Sequence, residues 1–244
     1  PKQISPTTVG IYLRQLRRIV NVAISKGLLS ADKYPFKGYS MPYSRNIKKA
    51  LTSQQVKLLF DYETDKLPVR EALDFWLFSY LSNGINMTDV CHLKPSNISG
   101  DFFHYFRAKT KNTKKRDLRP IKVPLTDRSK AIIERWKNTD PKNPYLFAVL
   151  EAGLTPIQAK YRIQDFIGKI NKQMKTVAEE VGIMEGIGTY VARHSHATIL
   201  KRKGAPSEVI KENLGHASLL TTENYLGDFT DDVKKDFANM LTDW

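Results

Sequence analysis

The chain has 244 residues, with 39 Lys and Arg against 25 Asp and Glu, for a formal net charge of +14. Hydrophobic residues make up 41% and charged residues 26%, a balance that supplies a packed core and excludes general disorder. One cysteine, Cys91, excludes an internal disulfide and a Cys-rich zinc site, and no apolar stretch is long enough to span a bilayer.

The start, PKQISPTT, lacks the apolar core of a secretory signal, so the expected compartment is the cytoplasm. It also lacks Met and runs straight into a structured segment, as a fragment or trimmed chain would. The positive excess suits a polyphosphate partner, because each neutralised phosphate releases condensed counterions. A membrane surface, or no partner at all, is the competing account of the charge.

In chain order, Thr7 or Thr8 is placed to cap a first helix. It carries Val9, Tyr12, Leu13, Leu16, Ile19, Val20 and Ala23 at helical spacing and is ended by Gly27. Arg14, Arg17 and Arg18 fall on the other face, which either lies along a phosphate backbone or is simply solvated. Residues 33 to 49, rich in Pro, Gly and basic residues, read as a linker. Thr52 and Gln55 match a capping box. A buried helix is predicted over 68–82, ending at Asn83-Gly84, and a short one over 87–93.

The period then changes. Phe102 to Phe106 and Ile121 to Leu125 read as two strands of an antiparallel hairpin. From Arg107 to Lys122 run eight basic residues and one acid, Asp117. Helices are predicted after Thr126, near 156–180, at 190–203 and 206–213, with an amphipathic segment over 231–241. The fold class is therefore mainly α with a small antiparallel sheet, α+β.

The sequence lacks the phosphate-binding loops, the nucleophile elbow and the Cys/His spacings of metal sites, so no metal is expected. What remains is TYVARHSHATILKRKGAPSEVIKENLGHASLLTTENYL. Arg193 lies near a helix start, His216 follows a helix ended by Gly215, and Tyr225 comes nine residues later. These are the parts that move a phosphoryl group without metal. A phenol oxygen attacks phosphorus, a guanidinium holds the non-bridging oxygens bidentately, and an imidazole binds the same phosphate or handles a proton. A buried tyrosine and a helix-end histidine are the ordinary structural alternatives.

With ARHSHAT, LGH and TTENY in this order, the sequence resembles the tyrosine recombinase, or phage integrase, family over about residues 50 to 230. The resemblance implies a catalytic domain over 46–244 with a C-terminal tail helix. Residues 1–45 would be the last part of a helical core-binding domain plus linker. It further implies strand cleavage through a 3′-phosphotyrosine, no cofactor, a double-stranded DNA partner, and a homotetramer on DNA with the tail helix docking on a neighbour. The expected location is the bacterial cytoplasm, on the nucleoid.

Residue by residue, the resemblance makes Tyr225 the nucleophile, Arg193 the second arginine and His216 the His/Trp position. Lys109 becomes the hairpin lysine that protonates the leaving oxygen, with Lys111 a rival. His194 orders its helix. Lys111, Lys114, Lys115 and Arg116 at the hairpin tip, with Arg14, Arg17 and Arg18, are the expected DNA contacts.

Two positions depart from the pattern. Asn86 stands where the family has its first arginine, in Gly84-Ile85-Asn86-Met87-Thr88-Asp89, and Tyr190 stands where it has His. Lys111 and Lys94 are the offered replacements for the lost charge. Two other readings compete with an active integrase: a DNA-binding protein of this fold that cuts poorly, and a relaxing enzyme like a type IB topoisomerase.

Overall fold

A computed structural model gives the fold. The structure describes residues 4–43, 50–111, 119–184, 186–216, 218–219, 221–222, 234–235 and 238–240. The chain divides into two compact units, Pro1–Ile47 and Lys48–Trp244.

In the first unit, α1 spans Pro6–Ser25. It starts earlier than Thr7 or Thr8 would allow. The Ser5 hydroxyl accepts from the Thr8 backbone N–H at 3.2 Å, and Pro6 takes the first helical position, where its missing N–H costs nothing. The helix stops before Gly27, whose φ of 69° is open to glycine. Ile11, Tyr12, Leu16, Ile19 and Val22 are exposed within this unit. Gly10 is buried because the Pro42 segment crosses over it; a Cβ there would stand 2.1 Å from the Pro42 carbonyl oxygen.

In the second unit, the Thr52–Gln55 capping box opens α2 (Ser53–Asp61) as expected. The buried helix α3 (Leu67–Leu81) is the hub. Leu73, Trp76, Leu77 and Phe78 are fully buried, because α6 (Asp127–Trp136), α7 (Pro156–Glu180) and α8 (Thr189–Arg202) pack around it. Helix α7 turns Ile163, Phe166, Ile170, Met174 and Val177 inward, the stripe a 3.6-residue period requires.

The short α4 (Met87–Cys91) follows α3. After it, β1 (Ile98–Ser99), β2 (Phe102–Tyr105) and β3 (Ile121–Pro124) form an antiparallel sheet in that order. Phe103 pairs with Val123 and Tyr105 with Ile121, and all four are buried. The helical turn α5 (Ala108–Lys111) follows β2, within the basic stretch expected to form the tip of the hairpin. Its first N–H, of Ala108, goes to the Asp89 carboxylate at 2.8 Å rather than to a strand.

Helix α9 (Ser207–Leu214) ends at Gly215 with φ 61°. The segment predicted over 231–241 lies largely outside the described residues. Among those described, no helix is long and apolar enough to cross a membrane.

Candidate active site

The site is assembled where the turn after α3 meets α8. Asn83 and Gly84 both take left-handed backbone, with φ 54° and 63°. The Asn83 amide donates to the Lys122 carbonyl at 3.3 Å, fixing the turn to the sheet. Gly84 is required by close approach as well as by φ: a Cβ there would lie 2.9 Å from both Cα and Cγ of Arg193.

Arg193 is 1% exposed. Its Nη1 donates to the Gly84 carbonyl at 2.8 Å and its Nη2 to the Leu214 carbonyl at 2.5 Å. The latter is an end carbonyl of α9, left without an intrahelical partner, at the negative pole of the helix. Nη2 also stands 3.4 Å from His216 Nε2. A guanidinium only donates, so Nε2 accepts and the neutral imidazole carries its proton on Nδ1. Nδ1 then donates to the Thr222 hydroxyl at 3.1 Å. Arg193 and His216 are thus brought together from α8 and the end of α9. Thr222, three positions before Tyr225, is fully buried against them.

A cleft of about 340 Å³ is lined by Asn86, Asp89, Arg107, Lys109 and Tyr190, among others. It therefore gathers both departing positions and the hairpin lysine. Lys109 is exposed on α5, and Tyr190 is half-exposed at the start of α8. The buried His194 packs edge-on against the Tyr190 ring at 4.6 Å, which fixes that ring.

Asp89 is the buried anion of the site. Its carboxyl is raised above the ordinary carboxylate range, because burial outweighs the downward pull of the Ala108 N–H, the Arg107 charge, the Asn86 side-chain bond and the Arg193 charge. Burial also pushes the Tyr105 phenol well above its ordinary range, against the opposing pull of Arg193 and Arg107. His196 belongs to the core instead. Its Nδ1 donates to the Tyr80 carbonyl at 2.9 Å, and burial holds the imidazole neutral down to about 4.

Some expected residues fall elsewhere. Lys94 is not beside Asn86. Its ammonium stands 6.0 Å from the Tyr145 ring centre, on a separate cleft beside Pro95. Arg14, Arg17 and Arg18 are exposed on α1, but the Arg17 Nε donates to the Tyr34 hydroxyl at 2.6 Å. Tyr225, Lys114, Lys115, Arg116 and the Lys111 side chain lie outside the described residues. Arg107 had been counted only as one charge of the basic run. Its signal in the sequence was its place two residues before Lys109, just beyond a strand.

A helical domain with one small antiparallel sheet, and with an arginine and a histidine meeting near the end of a short helix, has the fold of tyrosine recombinase catalytic domains. The solved structure of the Tn1549 transposon integrase in complex with circular intermediate DNA superposes with a TM-score of 0.64 at 17% identity, covering 97% of this chain and 80% of that one. The sequence model of the phage integrase family matches residues 49–230, and the chain belongs to that family. A tyrosine recombinase of Thermosipho africanus is 26% identical over 221 residues, which is 90% of this chain and 71% of the relative. XerC of Thermodesulfovibrio yellowstonii is 27% identical over 224 residues, 91% and 71% of the two chains.

Proposed function

We propose that the chain is a site-specific DNA recombinase, a strand-transferase working through a 3′-phosphotyrosine link in the integration and excision of a mobile element. The observation that carries this reading is the Arg193–His216 pair, 3.4 Å apart, in a basic chain of the phage integrase family. The likeness to a transposon integrase solved with circular intermediate DNA supports the mobile-element part.

The chemistry balances without metal or nucleotide. The Tyr225 oxygen bonds to phosphorus while its proton passes to His216 Nε2, whose lone pair is released as the Arg193 Nη2 turns from it to the phosphate. The bond from phosphorus to the 5′-oxygen breaks, that oxygen keeps the electron pair, and Lys109 delivers a proton to it, leaving a free 5′-hydroxyl and a neutral amine. Arg193 neutralises the charge that grows on the non-bridging oxygens. Attack by a 5′-hydroxyl from another strand reverses each transfer and releases the phenol, so the phosphodiester energy is conserved.

On this reading residues 46–244 form the catalytic domain and 1–45 the end of a core-binding domain. The working form is a homotetramer on double-stranded DNA in the cytoplasm, with the C-terminal segment docked on a neighbour. The test uses nicked duplexes of random core sequence as the probe. The chain should yield an adduct that survives denaturing electrophoresis, and Tyr225→Phe should abolish it. An adduct that persists in Tyr225→Phe overturns the nucleophile. Salt-sensitive binding with no adduct would instead favour a DNA-binding protein impaired at Asn86 and Tyr190.

A further inference from the structure

Asn86 leaves this site without a guanidinium at the position where the family resemblance places an arginine, yet the same cleft holds a guanidinium from another element. We propose that Arg107 grips the scissile phosphate in place of the side chain lost at Asn86, so that the phosphate lies between Arg107 and Arg193. This rests on the recombinase reading above and names a binding residue within it.

Four observations converge. Arg107 and Asn86 line one cleft, with Lys109 and Tyr190. The Arg107 stem runs past the turn that precedes His216: a Cβ placed on Gly215 would stand 3.9 Å from Arg107 Cδ. That sets Arg107 between the cleft and the Arg193–His216 pair. The backbone that carries it is fixed on one side by β2 and on the other by the Ala108 N–H bond to Asp89, 2.8 Å long. Finally, Arg107 and Arg193 both act on the buried Asp89 and Tyr105, so the two guanidinia share one small neighbourhood.

Chemistry favours Arg107 over its lysine neighbours for this task. A planar fork binds two phosphate oxygens at once and keeps its charge, whereas an ammonium suits proton delivery. Asn86 meanwhile directs its amide to Asp89, where it serves the carboxylate. The pattern's charge has moved from the start of α4 to the end of β2, and Arg107 and Lys109 divide the work: one holds the phosphate, the other protonates the leaving oxygen.

The test measures the rate of covalent adduct formation on the duplex that the unmodified chain selects from the nicked pool. Arg107→Ala should slow the adduct by at least about 100-fold. Arg107→Lys, with charge but no fork, should fall between. Adding Asn86→Arg to Arg107→Ala should restore at least about 10-fold, because the charge returns to the cleft from its other wall. A duplex with a neutral methylphosphonate at the scissile position should bring Arg107→Ala within about 10-fold of the unmodified chain, since there is less charge to neutralise.

Equal rates for Arg107→Ala and the unmodified chain overturn the proposal. So does a deficit that both the methylphosphonate and Asn86→Arg leave untouched, which is what a purely structural arginine predicts. If Arg107→Ala does not fold by thermal melting, Arg107→Gln carries the same comparisons. Absence of adduct from the unmodified chain overturns the recombinase reading itself, and the role of Arg107 with it.

Discussion

Gly84 and Arg193 are separated by more than a hundred positions, yet one added carbon would set them in conflict. At Gly84 two constraints coincide, a φ of 63° and a Cβ position 2.9 Å from the Arg193 backbone. At Gly100 only the first applies: φ is 59° and nothing lies within 4 Å of the added carbon. Gly100→Ala should therefore cost the left-handed strain alone, about 1–2 kcal/mol, while Gly84→Ala should cost about 2–4 kcal/mol because packing strain is added. Urea melts give both numbers. Gly84→Ala should also slow adduct formation, through a displaced Arg193, in a way that Gly100→Ala does not. The Asn-Gly dipeptide was legible as a helix stop, and the ARHSHAT, LGH and TTENY runs as pieces of one chemistry. The contact of Gly84 with Arg193 was not, because nothing local records a packing partner so far along the chain. Arg107 escaped notice for a related reason. Among eight basic residues in one run, charge alone does not say which side chains line a cleft with Asn86.

The elements were more legible than their junctions. A mostly apolar run made α3 a buried helix, a regular stripe made α7 an amphipathic one, and the capping box at Thr52 marked the start of α2. The start of α1 was misplaced because Pro6 is itself a good first residue, which lets Ser5 act as the cap. What holds the elements together is partly polar and left little trace in the pattern. Asp74 interrupts the apolar run of α3, and its side chain is fully buried. It accepts from Arg135 Nη1 at 2.5 Å and Trp136 Nε1 at 2.9 Å, both at the end of α6. The Arg135 side chain is 45% exposed, so the two partners are unequal. Losing Asp74 leaves an arginine that can turn to water and an indole N–H without its acceptor, a cost of about 1–3 kcal/mol for Asp74→Ala. Losing Arg135 leaves a buried carboxylate with one donor, a cost of about 3 kcal/mol or more for Arg135→Ala. Equilibrium unfolding at neutral pH should find Arg135→Ala the less stable variant. The reverse order would mean that the Trp136 bond, not the ion pair, holds α6 to α3.

For the whole molecule, the excess of 14 positive charges was plain in the composition, but composition does not separate charges that hold DNA from charges that act on it. The placement of Lys109 within the basic run makes that division testable. It lines the cleft shared with Asn86 and Tyr190, whereas Lys114, Lys115 and Arg116 belong to the stretch between α5 and β3 expected to grip the backbone. Each phosphate contact contributes about 0.9 to the slope of log affinity against log salt. Replacing Lys114, Lys115 and Arg116 together by Ala should therefore weaken binding and flatten that slope by up to about 3. Lys109→Ala should change the slope by no more than about 1 and slow adduct formation far more than it weakens binding, because delivering a proton is work done in the transition state. Binding measured across a salt series, with adduct rates at saturating protein, separates the two groups. If the tip variant lost cleavage without losing salt dependence, or Lys109→Ala lost both in equal measure, the grip and the chemistry would have been assigned to the wrong side chains.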